Sequence, residues 1–136
     1  MNNIFKNYFF IILAAGLLPA IALAQNSLTF TNAAATGDQG PTQAQVTAAY
    51  DGTTLEDDVT ITTQGIQEWT VPADGVYTIE ARGAAGTYAG SGLATGYGAR
   101  MKGDFTLTQG TVLKILVGQM PVTGSYQDAG GGGTFV

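Results

Sequence analysis

Apolar and polar residues alternate with a period of two over much of the chain, the rhythm of strands with one buried face. Within 65–86, GIQEWTVPADGVYTIEARGAAG, Gln67, Trp69 and Val71 share one face, and Tyr77, Ile79 and Ala81 alternate with Thr78, Glu80 and Arg82. Between the two runs, Pro72 lacks the N–H that a central ladder needs and Asp74-Gly75 tolerates positive φ, so the stretch predicts a β-hairpin turning at Pro72-Ala73-Asp74-Gly75. In 100–108 Met101, Phe105 and Leu107 face one way and Arg100, Lys102, Asp104, Thr106 and Thr108 the other. Gly103 falls on the apolar side, where it would admit a bulge or an opposing aromatic ring. Gln109-Gly110 turns the chain into a second predicted hairpin, whose return strand, 112–117, is apolar except at Lys114 and is expected to be central and covered on both sides.

Shorter strands are expected at 28–31, where Leu28 and Phe30 alternate with Thr29 and Thr31, and at 59–62 around Val59 and Ile61. Val46, Ala49 and Tyr50 are spaced for one or two turns of amphipathic helix within 41–50, a short strand being the alternative. The segment 32–40, NAAATGDQG, is a loop by composition. Two hairpins with flanking strands make an antiparallel sandwich the natural way to bury one face of each.

The first 24 residues belong to a different problem. Lys6 precedes an apolar run from Tyr8 to Leu18, and Ala22-Leu23-Ala24 forms a small-x-small site before Gln25. This is the pattern of a secretory signal peptide cleaved after Ala24. The competing reading is an uncleaved membrane anchor, but Gly16 and Pro19 break a run already short of the roughly 20 apolar residues of a membrane span, and no second membrane segment follows, so no span is expected after cleavage. Residues 25–136, about 112 of them, suffice for one domain with one core.

Charge and missing residue types narrow the chemistry. Ten acidic residues stand against four basic ones after Ala24, which argues against nucleic acid, whose phosphates need cationic partners. Cys and His are both absent. Disulfides, thiolate or His-ligated metal sites, and Ser-His-Asp or Cys-His catalysis are thereby excluded. Glu56-Asp57-Asp58 is the densest acidic cluster, but a calcium loop spaces its ligands at alternate positions around a glycine, so a solvated strand entry is expected there and no metal or other cofactor. A carboxylate-based hydrolase would need two convergent acids roughly 5 to 9.5 Å apart. Glu68, Glu80 and Asp104 are the acids on predicted strands, and Glu80 and Asp104 are expected to meet water or Arg82, Arg100 and Lys102.

Fourteen of the 20 glycines lie from Gly83 onward, so the second half has its own backbone problem. The stretch 86–99 has no apolar period and reads as a long flexible or ligand-facing connection. Gly96-x-Gly98 lacks the third glycine of a dinucleotide fingerprint, Met101 standing there. Gly130-Gly131-Gly132-Gly133 suits either a flexible linker or an extended three-fold helix packed on other glycine chains, of which the sequence pattern supplies none. Thr134-Phe135-Val136 opens an apolar strand, and the expectation is that 25–136 is the N-terminal part of a longer domain.

Four blocks carry a resemblance: GPTQAQ (40–45) with Tyr50, the stretch GIQEWTVPADGVYTIEARGAAG, LKILVGQ (113–119) and GGGGTFV (130–136). In this order they resemble the extracellular glycine-rich domain of the anaplastic lymphoma kinase and leukocyte tyrosine kinase receptors. The resemblance implies a tumour-necrosis-factor-like jelly-roll sandwich with a bundle of polyglycine helices. In the animal receptors it implies binding of a small helical cytokine, with a separate intracellular kinase that nothing here matches. Val46 stands where those receptors carry a Cys after GPTQAQ. No ligand-binding residue follows from the resemblance. Trp69, Tyr77, Leu113, Ile115 and Val117 are expected as core, with Pro72, Gly83 and Gly86 as backbone devices. The function expected is a secreted or surface-exposed, non-enzymatic binding or adhesion module taking an extracellular protein or polymer. A structural matrix protein assembling through glycine helices is the alternative, and a carboxylate-dependent cell-surface hydrolase a third reading.

Overall fold

A computed structural model describes residues 27–86, 96–121 and 130–136; the signal-peptide expectation lies outside the described residues. Five strands and one helix follow one another as α1 (Gln43–Tyr50), β1 (Val59–Thr63), β2 (Ile66–Thr70), β3 (Gly75–Arg82), β4 (Arg100–Leu107) and β5 (Val112–Leu116). All pairings are antiparallel, β1-β2-β5 forming one sheet and β3-β4 the other. The fold is all-β with little helix.

The helix starts where its sequence provides a cap. Thr42 is the N-cap, its hydroxyl accepting from Gln45 N while the Gln45 side chain accepts from Thr42 N at 2.9 Å, a reciprocal capping box. Val46 and Tyr50 bury the inward face. Gln43 turns toward β1: its Oε1 accepts from Ile61 N at 2.7 Å and its Nε2 donates to Val59 O at 3.1 Å.

Neither expected hairpin forms. β2 is the middle strand of its sheet, so β1 and β5 occupy both of its edges and none is left for β3. The hairpin that does form is β1–β2, turning through Gln64-Gly65 with Gly65 at φ +87°. Pro72–Gly75 is instead a corner that carries the chain into the second sheet, and 108–111 carries it back from β4 to β5. The two corners are bonded to each other: Val71 N donates to Thr111 O (2.8 Å), Gly110 N to Val71 O (2.9 Å) and Gln109 N to Asp74 Oδ1 (2.7 Å). Trp69 and Tyr77 consequently face each other across the sheets, ring centroids 6.1 Å apart at 70°.

Val46, Tyr50, Leu55, Val59, Trp69, Val71 and Ile115 form the core, with Tyr77, Leu107, Leu113 and Val117 packed against it. Leu28 and Phe30 also pack on it, but 27–32 is not a strand. Its ladder groups are bonded to side chains instead: Thr31 N donates to the Tyr50 hydroxyl at 2.9 Å and Thr31 O accepts from Gln67 Nε2 at 2.7 Å.

Two burial expectations also fail. β5 is not covered on both sides, since Val112, Lys114 and Leu116 look outward from the sheet and only Ile115 is buried. On β4, Met101 is 74% exposed although it shares the Tyr77 face, and Phe105 opposite Tyr77 is 49% exposed. Gly103 hosts neither a bulge nor an opposing ring: the β3–β4 register is continuous with Ile79 opposite, and the ring beside it is that of Phe105 on its own strand.

The glycine run has neighbours within the chain, contrary to expectation. Ala84 N donates to Gly132 O and Gly132 N to Gln119 O, both at 3.0 Å, while Gly83 N donates to Ala99 O at 2.9 Å. Segments 96–99, 83–86, 131–133 and 118–120 therefore run side by side. A Cβ at Gly98, Gly118 or Gly131 would overlap a neighbouring carbonyl, so glycine is needed there for close approach.

Candidate functional site

The expected candidate chemistry disperses over the surface. Glu68 lies on the outer face of the three-stranded sheet, where it accepts from the Thr62 hydroxyl (2.8 Å) and meets Lys114 (3.5 Å). Glu80 and Asp104 lie on the outer face of the other sheet. Glu80 bridges Arg82 (2.6 Å) and Arg100 (2.7 Å), and Asp104 accepts from the Thr78 hydroxyl at 2.6 Å. The hydrogen bond from Arg100, then that from Arg82, holds the Glu80 carboxyl down at about 2, and the same contact raises Arg100. A carboxylate held so low is a poor general acid near neutral pH. Glu56, Asp57 and Asp58 are exposed on a turn, and among the described residues no three such groups converge on a metal position.

A different surface emerges where the two glycine-containing loops meet the end of the three-stranded sheet. The pairings Ile66↔Leu116 and Leu116↔Phe135 set these three side chains in one row on its outer face. Phe135 joins the sheet through two hydrogen bonds to Leu116, each 2.9 Å. Met120 and Pro121 continue the row, giving the floor of an open groove of about 680 Å³. Leu116, Met120 and Phe135 are 40%, 58% and 67% exposed in it.

One wall is the loop Gly37–Gly40 with Gln64 and Gly65; Gly130, Gly132 and Gly133 form the other. The first wall is built rigidly. Gly40 and Gly65 both have positive φ, and a Cβ on Gly40 would stand 2.6 Å from Gly65 Cα. Gly65 N donates to Pro41 O at 3.0 Å and Gln64 Nε2 to Gly40 O at 3.3 Å. Gln119 ties the loop to the floor, its amide nitrogen donating to the carbonyls of Ala35 (3.0 Å) and Gly37 (3.1 Å) in the orientation that satisfies both groups. At the root of the loop, Ala33 and Ala34 hold φ of 47° and 55°, a left-handed conformation that costs a residue with a Cβ about 1–2 kcal/mol. Backbone strain of this kind collects at functional sites.

Among the described residues Asp38 is the only charged side chain lining the groove. The remaining lining is apolar, amide or bare backbone, suited to binding by shape and hydrogen bonding. Residue patterns did not single out this site. Its floor crosses three separate parts of the chain, joined by the pairings of Leu116 with Ile66 and with Phe135. Gln119-Met120-Pro121, an apolar side chain between an amide and a proline after a strand, was the one local signal.

No family model matches this chain. Over 110 aligned residues it is 38% identical to the leukocyte tyrosine kinase receptor of Mus musculus. That alignment takes in 77% of this chain and 12% of the receptor, so the chain is similar to a small region of a much longer protein.

Proposed function

We propose that this chain is a non-enzymatic extracellular binding module, part of a larger exported glycine-rich protein, and that it holds an extended segment of another protein in the groove over Leu116, Met120 and Phe135. The observation that carries this reading is an exposed apolar row walled by glycine backbone, since contiguous exposed apolar surface marks interaction sites. Similarity to a receptor region supports an extracellular setting; the Ala22-Leu23-Ala24 pattern supports export through a signal peptide cleaved after Ala24, and the two antiparallel sheets are compatible with a jelly-roll arrangement. Among the described residues no helix is long and apolar enough to cross a membrane. The matrix alternative draws less support, because the glycine segments already pack on one another within one chain.

Panning a random heptapeptide library on the chain tests the groove. Enriched peptides should be apolar and should lose binding to Met120→Asp. Enrichment indifferent to that substitution sinks the assignment.

A further inference from the structure

Resting on that reading, we infer that the groove selects a partner segment that is both apolar and cationic, with a Lys or Arg side chain directed at Asp38. The floor supplies apolar contact through Leu116, Met120 and Phe135 but no charge. Among the described residues Asp38 is the single ionisable group of the lining, and no described cation lines the groove with it. Its one side-chain hydrogen bond among the described residues is a long one, 3.3 Å from the neighbouring Gln39 Nε2, so its carboxylate keeps acceptor positions open to solvent. The cations of the described strands are engaged elsewhere or lie on the opposite sheet: Lys114 with Glu68, Arg82 and Arg100 with Glu80. A net charge of −5 adds a long-range field of the same sign. A segment carrying an acidic residue would meet that field and Asp38 together, whereas a cationic one meets an apolar floor flanked by a carboxylate with open acceptor positions. Specificity then comes from repulsion of acidic competitors as much as from attraction.

The test uses the whole exported chain and two blocked pentapeptides, one alternating leucine with lysine, the other leucine with glutamate, titrated calorimetrically at low and high salt. The lysine peptide should bind at least about 10-fold tighter at low salt, with the gap narrowing as salt screens it. Asp38→Asn should remove most of the preference, whereas Asp57→Asn, an exposed acid outside the groove, should leave it intact. Met120→Ser should weaken the lysine peptide while preserving the preference. Equal binding of the two peptides, or a preference that survives Asp38→Asn, overturns the inference and leaves the groove standing. Binding of neither peptide overturns the groove and the inference with it.

Discussion

The Tyr50 hydroxyl donates to Gln67 Oε1 at 2.5 Å, joining the last residue of α1 to the middle strand of the larger sheet inside the core. Gln67 is fully buried and its other amide end donates to Thr31 O, so three segments share one saturated polar cluster. An unsatisfied buried partner costs about 1–3 kcal/mol, so Tyr50→Phe should destabilise by that amount in urea unfolding. In a double-mutant cycle, Tyr50→Phe with Gln67→Leu should cost less than the sum of the two single changes. Additivity would show that the two groups do not depend on each other.

Trp69 sits between the layers, edge-on to both Phe30 and Tyr77. Trp69→Ala should cost about 3–5 kcal/mol, as large-to-small core changes do. A melting temperature close to the parent's would mean that the interior is centred elsewhere.

Gly37 and Gly40 give a matched pair for separating conformation from crowding. Both have positive φ, but a Cβ on Gly37 meets nothing within 4 Å whereas one on Gly40 meets the Gly65 backbone. Gly37→Ala should cost about 1–2 kcal/mol from conformation alone. Gly40→Ala should cost clearly more and shift the amide resonances of Gln64 and Gly65. Equal losses would refute the close approach.

Exposed Ala34 works in the opposite sense. Replacing it by Gly relieves the left-handed conformation and should stabilise the chain by about 0.5–1 kcal/mol, the relief being partly offset by a more flexible unfolded state. Destabilisation by this change, seen in thermal melts, would show that the Ala34 methyl makes a contact worth more than the strain.

Acid should loosen the β3-β4 sheet in a defined window. Glu80 titrates at about 2 in the fold against an ordinary 4.5, so its pairing contributes fully above 4.5 and is lost as pH falls toward 2. The pair is solvent-exposed, so the effect is small. Glu80→Gln should flatten that part of the stability–pH curve, and an unchanged slope between those values would exclude the bridge.

Period-two patterning tells which side of a strand is buried, and by that measure β2 and β3 are legible, as is the helix around Val46 and Tyr50. It does not tell which strand lies alongside. Pro72-Ala73-Asp74-Gly75 has the residues of a hairpin turn and of a corner alike, and the choice falls to Val71, whose backbone bonds Gly110 and Thr111, nearly 40 residues on. Leu28 and Phe30 show the complementary failure. Their alternation is real and their side chains pack inward, yet the backbone of the next residue, Thr31, is claimed by Tyr50 and Gln67, which no local pattern reveals. The groove is illegible for the same reason: Ile66, Leu116 and Phe135 become neighbours only through pairing across the chain.

Gln43 gives the larger sheet a direction of growth. By holding Val59 O and Ile61 N it presents to the margin of β1 the donor and acceptor that an invading strand would bring. Such a strand would have to evict a side chain anchored in a capped helix before gaining its first ladder bond. The sheet is therefore terminated on that side by its own helix, and stacking of copies into a continuous ribbon through β1 is blocked without a charge or a proline in the strand itself.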